Sequence, residues 1–325
     1  MLRKIHTKIR TLLAVTMLLL GIMPGTIIFA FIIAKLLSRY MIYDSSPPSR
    51  KYQFIEHNNF RNYYISPNAK GVEDNTKILP IELSNKPEII VLYLHGRSMN
   101  ASADYNHYSN VESKICKIFA LEYPGYLPMQ GKANAGNLQK AINNFLDYLE
   151  NICLVKSKDI IICGHSLGAM HGIMTISQRE EKYGKIYGGF IGFGTCMCLS
   201  EAIAYKIQNK ITAMQLFGKY LKKGIEILLP KQERINAYKH YQKMKTKAYF
   251  FHGEEDSVAP HDGFLTAIKM QTGPERKIDH LRIIPHLPDE QHTSIIHIMK
   301  DILPCIAYNL TYDNQFNKNQ GRTIK

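Results

Sequence analysis

Residues 159–173 read DIIICGHSLGAMHGI, and the fold turns on how this stretch is parsed. Asp159–Cys163 is a short apolar run of the kind that forms a strand buried on both faces. A helical pattern starts at Leu167. Between them stands Gly164-His165-Ser166-Leu167-Gly168, a G-x-S-x-G. Strand, motif and helix in that order describe a sharp, strained turn that pushes a serine hydroxyl out beyond the end of a sheet. Gly164 and Gly168 let strand and helix pass closely, and Ala169 and Gly172 keep the crossing narrow. His165, in the variable position, is expected to pack.

Working outward, further apolar runs place strands near 52–56, 61–66, 88–94, 116–122, 187–194, 247–252 and 281–285, with 159–163 among them. Helical patterns near 133–151, 167–179 and 293–303 supply crossovers. The fold class is therefore α/β: a mainly parallel twisted sheet with helices on both faces, spanning residues 52–310 as one body. Residues 197–244 form an excursion that the sheet does not need, read as a helical cap. Within it Met214, Phe217, Leu221, Ile225 and Leu228 share one helical stripe, and Lys219, Lys222, Lys223 and Glu226 line the other face. A polar tail follows from Thr311.

The N-terminal part is of another kind. Residues 11–34 carry no charge, which is long enough to cross a bilayer and longer than the roughly 7–15 apolar residues of a cleaved signal peptide. We expect a single transmembrane anchor in residues 1–43, joined to the body by the Pro/Ser-rich linker 44–51. Pro24 and Gly25 also permit a re-entrant hairpin. Four basic residues precede the span and four follow it, so the charge bias does not orient it. These flanks explain half of the net charge of +14. The rest is scattered, with no basic helix interleaved with aromatics and no zinc-finger spacing, so nucleic acid is excluded as a partner. The six cysteines are too sparse for a stapled secreted domain and mostly sit in apolar runs, where a thiol packs as a small hydrophobe. Cys196 and Cys198 lack further ligands nearby for a metal.

A serine hydroxyl is a weak nucleophile near neutral pH, so the motif calls for a base and an orienting carboxylate, following in the order Ser, acid, His. HGEEDSVAPHDG after the strand KAYFF offers Glu254, Glu255, Asp256 and Asp262. HLPDEQHTSII after LRIIP offers His286 and His292. One oxyanion donor is the Leu167 N–H, next to the nucleophile.

Four stretches then carry a resemblance: LYLHGRSMN at 92–100, EYPGY at 122–126, CGHSLGAM at 163–170 and HGEEDSVAP at 252–260. With the late histidine they cover about residues 88–305, and they resemble the α/β-hydrolase superfamily, in particular its Bem46-like and serine aminopeptidase-like membrane-anchored branch. The H-G-x-x-D-x-x-V-P pattern falls on His252, Gly253, Asp256 and Pro260, with Ala259 where Val is usual. The resemblance thus implies Asp256 as the triad acid. It implies a base on a loop before a closing helix, which favours His292 over His286, since Leu287-Pro288 suits a loop. It implies a second oxyanion donor at Arg97, after His95-Gly96, with His95 orienting the loop. The expected activity is hydrolysis of an ester, thioester or amide through an acyl-enzyme, on a small-molecule or lipid acyl substrate near a membrane, without metal or organic cofactor. A serine peptidase is the alternative, and a silent hydrolase-fold receptor or scaffold the alternative of another class.

Overall fold

A computed structural model describes residues 53–58, 60–65, 89–97, 99–104, 116–196, 198–210, 218–259, 280–284, 295 and 305–306. The apolar span 11–34, the linker 44–51, the polar tail, Asp262, His286, His292 and all of the closing helix except Ile295 lie outside them. Among the described residues no helix is long and apolar enough to cross a membrane.

Among the described residues eight strands form one sheet: β1 (Gln53–His57), β2 (Phe60–Ile65), β3 (Ile89–Leu94), β4 (Cys116–Leu121), β5 (Ile160–His165), β6 (Gly189–Phe193), β7 (Ala248–Gly253) and β8 (His280–Ile284). Their order is β1-β2-β4-β3-β5-β6-β7-β8. From β4 to β8 every pairing is parallel, and β1 and β2 pair antiparallel at one edge. The apolar runs form central strands because both their faces are covered. Ile90, Leu92 and Leu94 of β3 enter one core. Ile89, Val91 and Tyr93 enter the other, together with Ile295 and Ile306.

On the first face lie α1 (Ala135–Asn151) and α2 (Leu167–Tyr183). Asn134 starts α1 by accepting from the Asn137 N–H with its side chain, and α2 ends on Gly184 in the left-handed conformation. The two helices are tied by the buried Arg179, which donates to Asp147 and Glu150 at 2.9 and 2.8 Å and to the Tyr187 hydroxyl at 2.5 Å.

After β6 the chain leaves the sheet through α3 (Leu199–Lys210) and α4 (Gly218–Leu228), which pack together. It returns to its point of departure, where Cys198 bridges Asn236 antiparallel and the Leu199 N–H donates to Ile235 O at 3.2 Å. The expected outer face of α4 is not all solvent-facing. Lys222 is half-buried and paired with Glu201 of α3 at 3.0 Å, while the apolar Ile227 is exposed. The last part of the excursion, α5 (Ala237–Lys243), packs on α2, and its Ala237 and Tyr241 belong to the main core. Among the cysteines, Cys116, Cys163, Cys196 and Cys198 are buried, Cys153 is half-buried and Cys305 is exposed.

Candidate active site

Ser166 is positioned by backbone geometry. β5 ends at His165 and α2 begins at Leu167, so the serine makes the turn alone, with φ 49° and ψ −112°. Such a conformation costs a residue with a Cβ about 1–3 kcal/mol and persists only where its surroundings enforce it. The Ser166 N–H donates to Phe193 O at 2.8 Å, and Ser166 O accepts from the Met170 N–H at 3.2 Å. Although Ser166 is the N-cap of α2, its hydroxyl makes no capping bond. The two motif glycines are sterically required. A Cβ at Gly164 would lie 2.6 Å from the Ala169 backbone, and one at Gly168 would lie 2.2 Å from Leu94 O. Leu167 opens the first turn of α2, whose N–H groups have no partner within the helix and stand at its positive end.

Asp256 is buried at the turn that follows β7, at the same end of the sheet. Its Oδ1 accepts from the Val258 and Ala259 N–H groups at 2.8 and 2.7 Å. Its Oδ2 lies 3.3 Å from Nε2 of His252, which is also 2.7 Å from Ala259 O. The carboxylate is thus fixed by the H-G-x-x-D turn itself, and the exposed Glu254 and Glu255 are not competitors for the buried position. Burial pushes the Cys196 thiol up, and the Asp256 charge adds to it, so this neighbour stays a protonated thiol.

The loop after β3 lies against the elbow. A Cβ at Gly96 would meet His165 Nδ1 at 2.5 Å, and His95 O would be 2.6 Å from a Cβ at Gly168. His165 therefore packs under this loop, as expected. His95 is wholly buried and stacked on Tyr123, with ring centroids 3.9 Å apart. Its Nδ1 is 2.7 Å from Gly96 O and its Nε2 is 2.8 Å from Glu122 Oε1. Burial lowers the His95 pKa; the Glu122 carboxylate and both hydrogen bonds outweigh it, and the net direction is upward. Glu122 further accepts from the Tyr123 N–H at 3.0 Å and the Ala101 N–H at 3.2 Å. Nearby, the Tyr93 hydroxyl donates to Asp104 Oδ2 at 2.5 Å, and burial pushes Asp104 up to about 6.

Ser166, Leu167, His165, His95 and Arg97 are thus brought together where β3 and β5 run side by side. Asp256 comes from two strands away, and His292 lies outside the described residues. Glu122, Tyr123 and Tyr126 join the site without being among its expected residues. The available signal was an acid ending an apolar strand directly before two tyrosines, in the segment EYPGY.

This arrangement is the α/β-hydrolase fold. Aligned structures include an α/β-hydrolase from Vibrio vulnificus, with 14% identity over 79% of this chain and 81% of that one, at a TM-score of 0.53. An esterase of Pyrococcus furiosus aligns at 12% identity over 83% and 97%, with a TM-score of 0.53. An esterase from the bacterial hormone-sensitive lipase family aligns at 13% over 82% and 86%, with a TM-score of 0.50. No family model matches the chain, and no curated protein does.

Proposed function

We propose that this chain is a serine hydrolase cleaving an ester, thioester or amide through an acyl-enzyme. Its substrate is a small-molecule or lipid acyl compound, reached from a membrane in which residues 11–34 anchor the chain. The observation that carries the reading is the backbone of Ser166. A buried, strained, positive-φ serine between strand and helix has no packing purpose, and a silent scaffold would be more stable with glycine there.

In the proposed reaction His292 takes the Ser166 Oγ proton as Oγ attacks the substrate carbonyl carbon. Asp256 holds the imidazole in the right tautomer and stabilises its cation. The Leu167 and Arg97 N–H groups donate to the oxyanion, which then collapses, and the leaving group departs with the proton from His292. Water attacks the acyl-serine by the same route and releases the acid. Apart from that water, these steps draw on protein groups alone.

A fluorophosphonate probe tests the reading. Wild-type protein in native membranes should be labelled, and Ser166→Ala should remove both label and esterase activity. Labelling that persists in the variant would place the nucleophile elsewhere.

A further inference from the structure

Three successive carbonyls of the loop after β3 are each held by a side chain. The Tyr123 hydroxyl donates to His95 O at 3.0 Å, and His95 Nδ1 lies 2.7 Å from Gly96 O. The Tyr126 hydroxyl donates to Arg97 O at 2.9 Å. All three side chains are buried. At Nδ1 the His95 ring meets a carbonyl, which can only accept, so Nδ1 carries a proton; at Nε2 it meets Glu122, which also takes two backbone N–H groups. The single cis peptide among the described residues is Leu127–Pro128, so the Gly96–Arg97 peptide is trans. In a trans peptide the N–H points opposite to the C=O. Drawing Gly96 O toward the buried ring therefore turns the Arg97 N–H the other way, out of the core.

We infer that His95, Glu122, Tyr123 and Tyr126 are positioning residues that fix the Arg97 N–H as an oxyanion donor by pinning the carbonyls around it. The inference rests on the proposed acyl-enzyme reaction and names what aims its second donor. Glu122 acts at one remove: it orients the ring and, through the Ala101 N–H, closes the far side of the loop. Donors held in place before the reaction need no reorganisation as charge develops, which is where such groups gain their effect. A loosened loop should therefore weaken binding of the tetrahedral species and leave the planar substrate almost untouched.

The test measures kcat and KM on a short-chain ester and Ki for a trifluoromethyl ketone, which forms a tetrahedral adduct. His95→Phe combined with Glu122→Gln keeps a stacked ring, removes the Nδ1 donor and leaves no buried charge behind. We expect kcat to fall roughly tenfold or more, since outright loss of a donor costs on the order of 100-fold. KM should stay within about twofold, and Ki should rise in step with the loss in kcat/KM. Glu122→Gln alone lets a neutral ring keep its proton on Nδ1, so it should retain a larger kcat than the double variant. Tyr126→Phe removes one hydroxyl, should lower kcat several-fold with KM unchanged, and decides the matter if the double variant does not fold. Wild-type kcat and Ki in Tyr126→Phe and in any folded double variant would overturn the inference. Wild-type protein with no Ser166-dependent hydrolysis would instead overturn the proposed reaction.

Discussion

In the proposed reaction Ser166 cannot act alone near neutral pH, so the residue that accepts its proton should be as costly to lose as the serine itself. His292→Ala is expected to lower kcat on a small ester by several orders of magnitude, nearly as far as Ser166→Ala, and the double variant should be little worse than either. His286→Ala should cost less than about threefold, the effect of an imidazole outside the reacting unit. The opposite ranking would transfer the base to His286. A second expectation concerns Asp104, raised from 3.8 to about 6 by burial although the Tyr93 hydrogen bond works against the shift. A raised carboxyl keeps its proton in the folded chain where the unfolded chain has lost it. Its stabilising contribution is therefore present below about pH 4 and is lost as pH climbs to about 6. Asp104→Asn lacks this loss, so its Tm relative to wild type should increase between pH 4 and pH 6.5. A difference that stays flat over that range would show that Asp104 carries no such shift.

Among the elements, the crossing of β3 under α2 leaves the least room. Gly168→Ala would put a methyl group 2.2 Å from the Leu94 carbonyl, a backbone atom in the centre of the sheet that has nowhere to go. We expect a loss of roughly 3 kcal/mol or more, seen as a Tm drop of several degrees or as failure to fold. A wild-type Tm would mean that strand and helix are not so closely apposed. This close approach was legible beforehand, because two glycines at fixed spacing between an apolar run and a helix have few other readings. The eight strands were legible for a related reason: IIVLYL, IIICGH and AYFFHG are buried throughout, and such runs stand out in any sequence. Two kinds of feature were not. Amphipathic periodicity shows that a helix has an apolar face but not what either face meets, so it foretold neither the pairing of Lys222 with Glu201 nor the packing of α5 on α2. Glu122 resembled a surface acid at a strand end. Its burial depends on His95, 27 residues away, which only the parallel pairing of β3 and β4 brings alongside.

For the molecule as a whole, the proposed anchor and the proposed catalytic body should be separable, since among the described residues the sheet starts at Gln53 and the contacts given for Ser166 lie beyond it. A truncated chain starting at Asp44 should hydrolyse short-chain esters at close to the full-length rate. It should lose far more activity on lipid embedded in vesicles, because an anchored domain samples the bilayer at a high effective concentration. Full-length protein should also stay with membranes in alkaline carbonate; its release would refute the anchor. The excursion after β6 has a separate consequence. Its ends meet at Cys198 and Asn236, so from the standpoint of the sheet, residues 199–235 are a closed detour with a single doorway. Lengthening a detour of this kind costs little, about 0.6 kcal/mol for each doubling in length. Over evolutionary time the doorway is therefore a grafting point: the whole detour can be exchanged or regrown while the sheet keeps its frame unchanged.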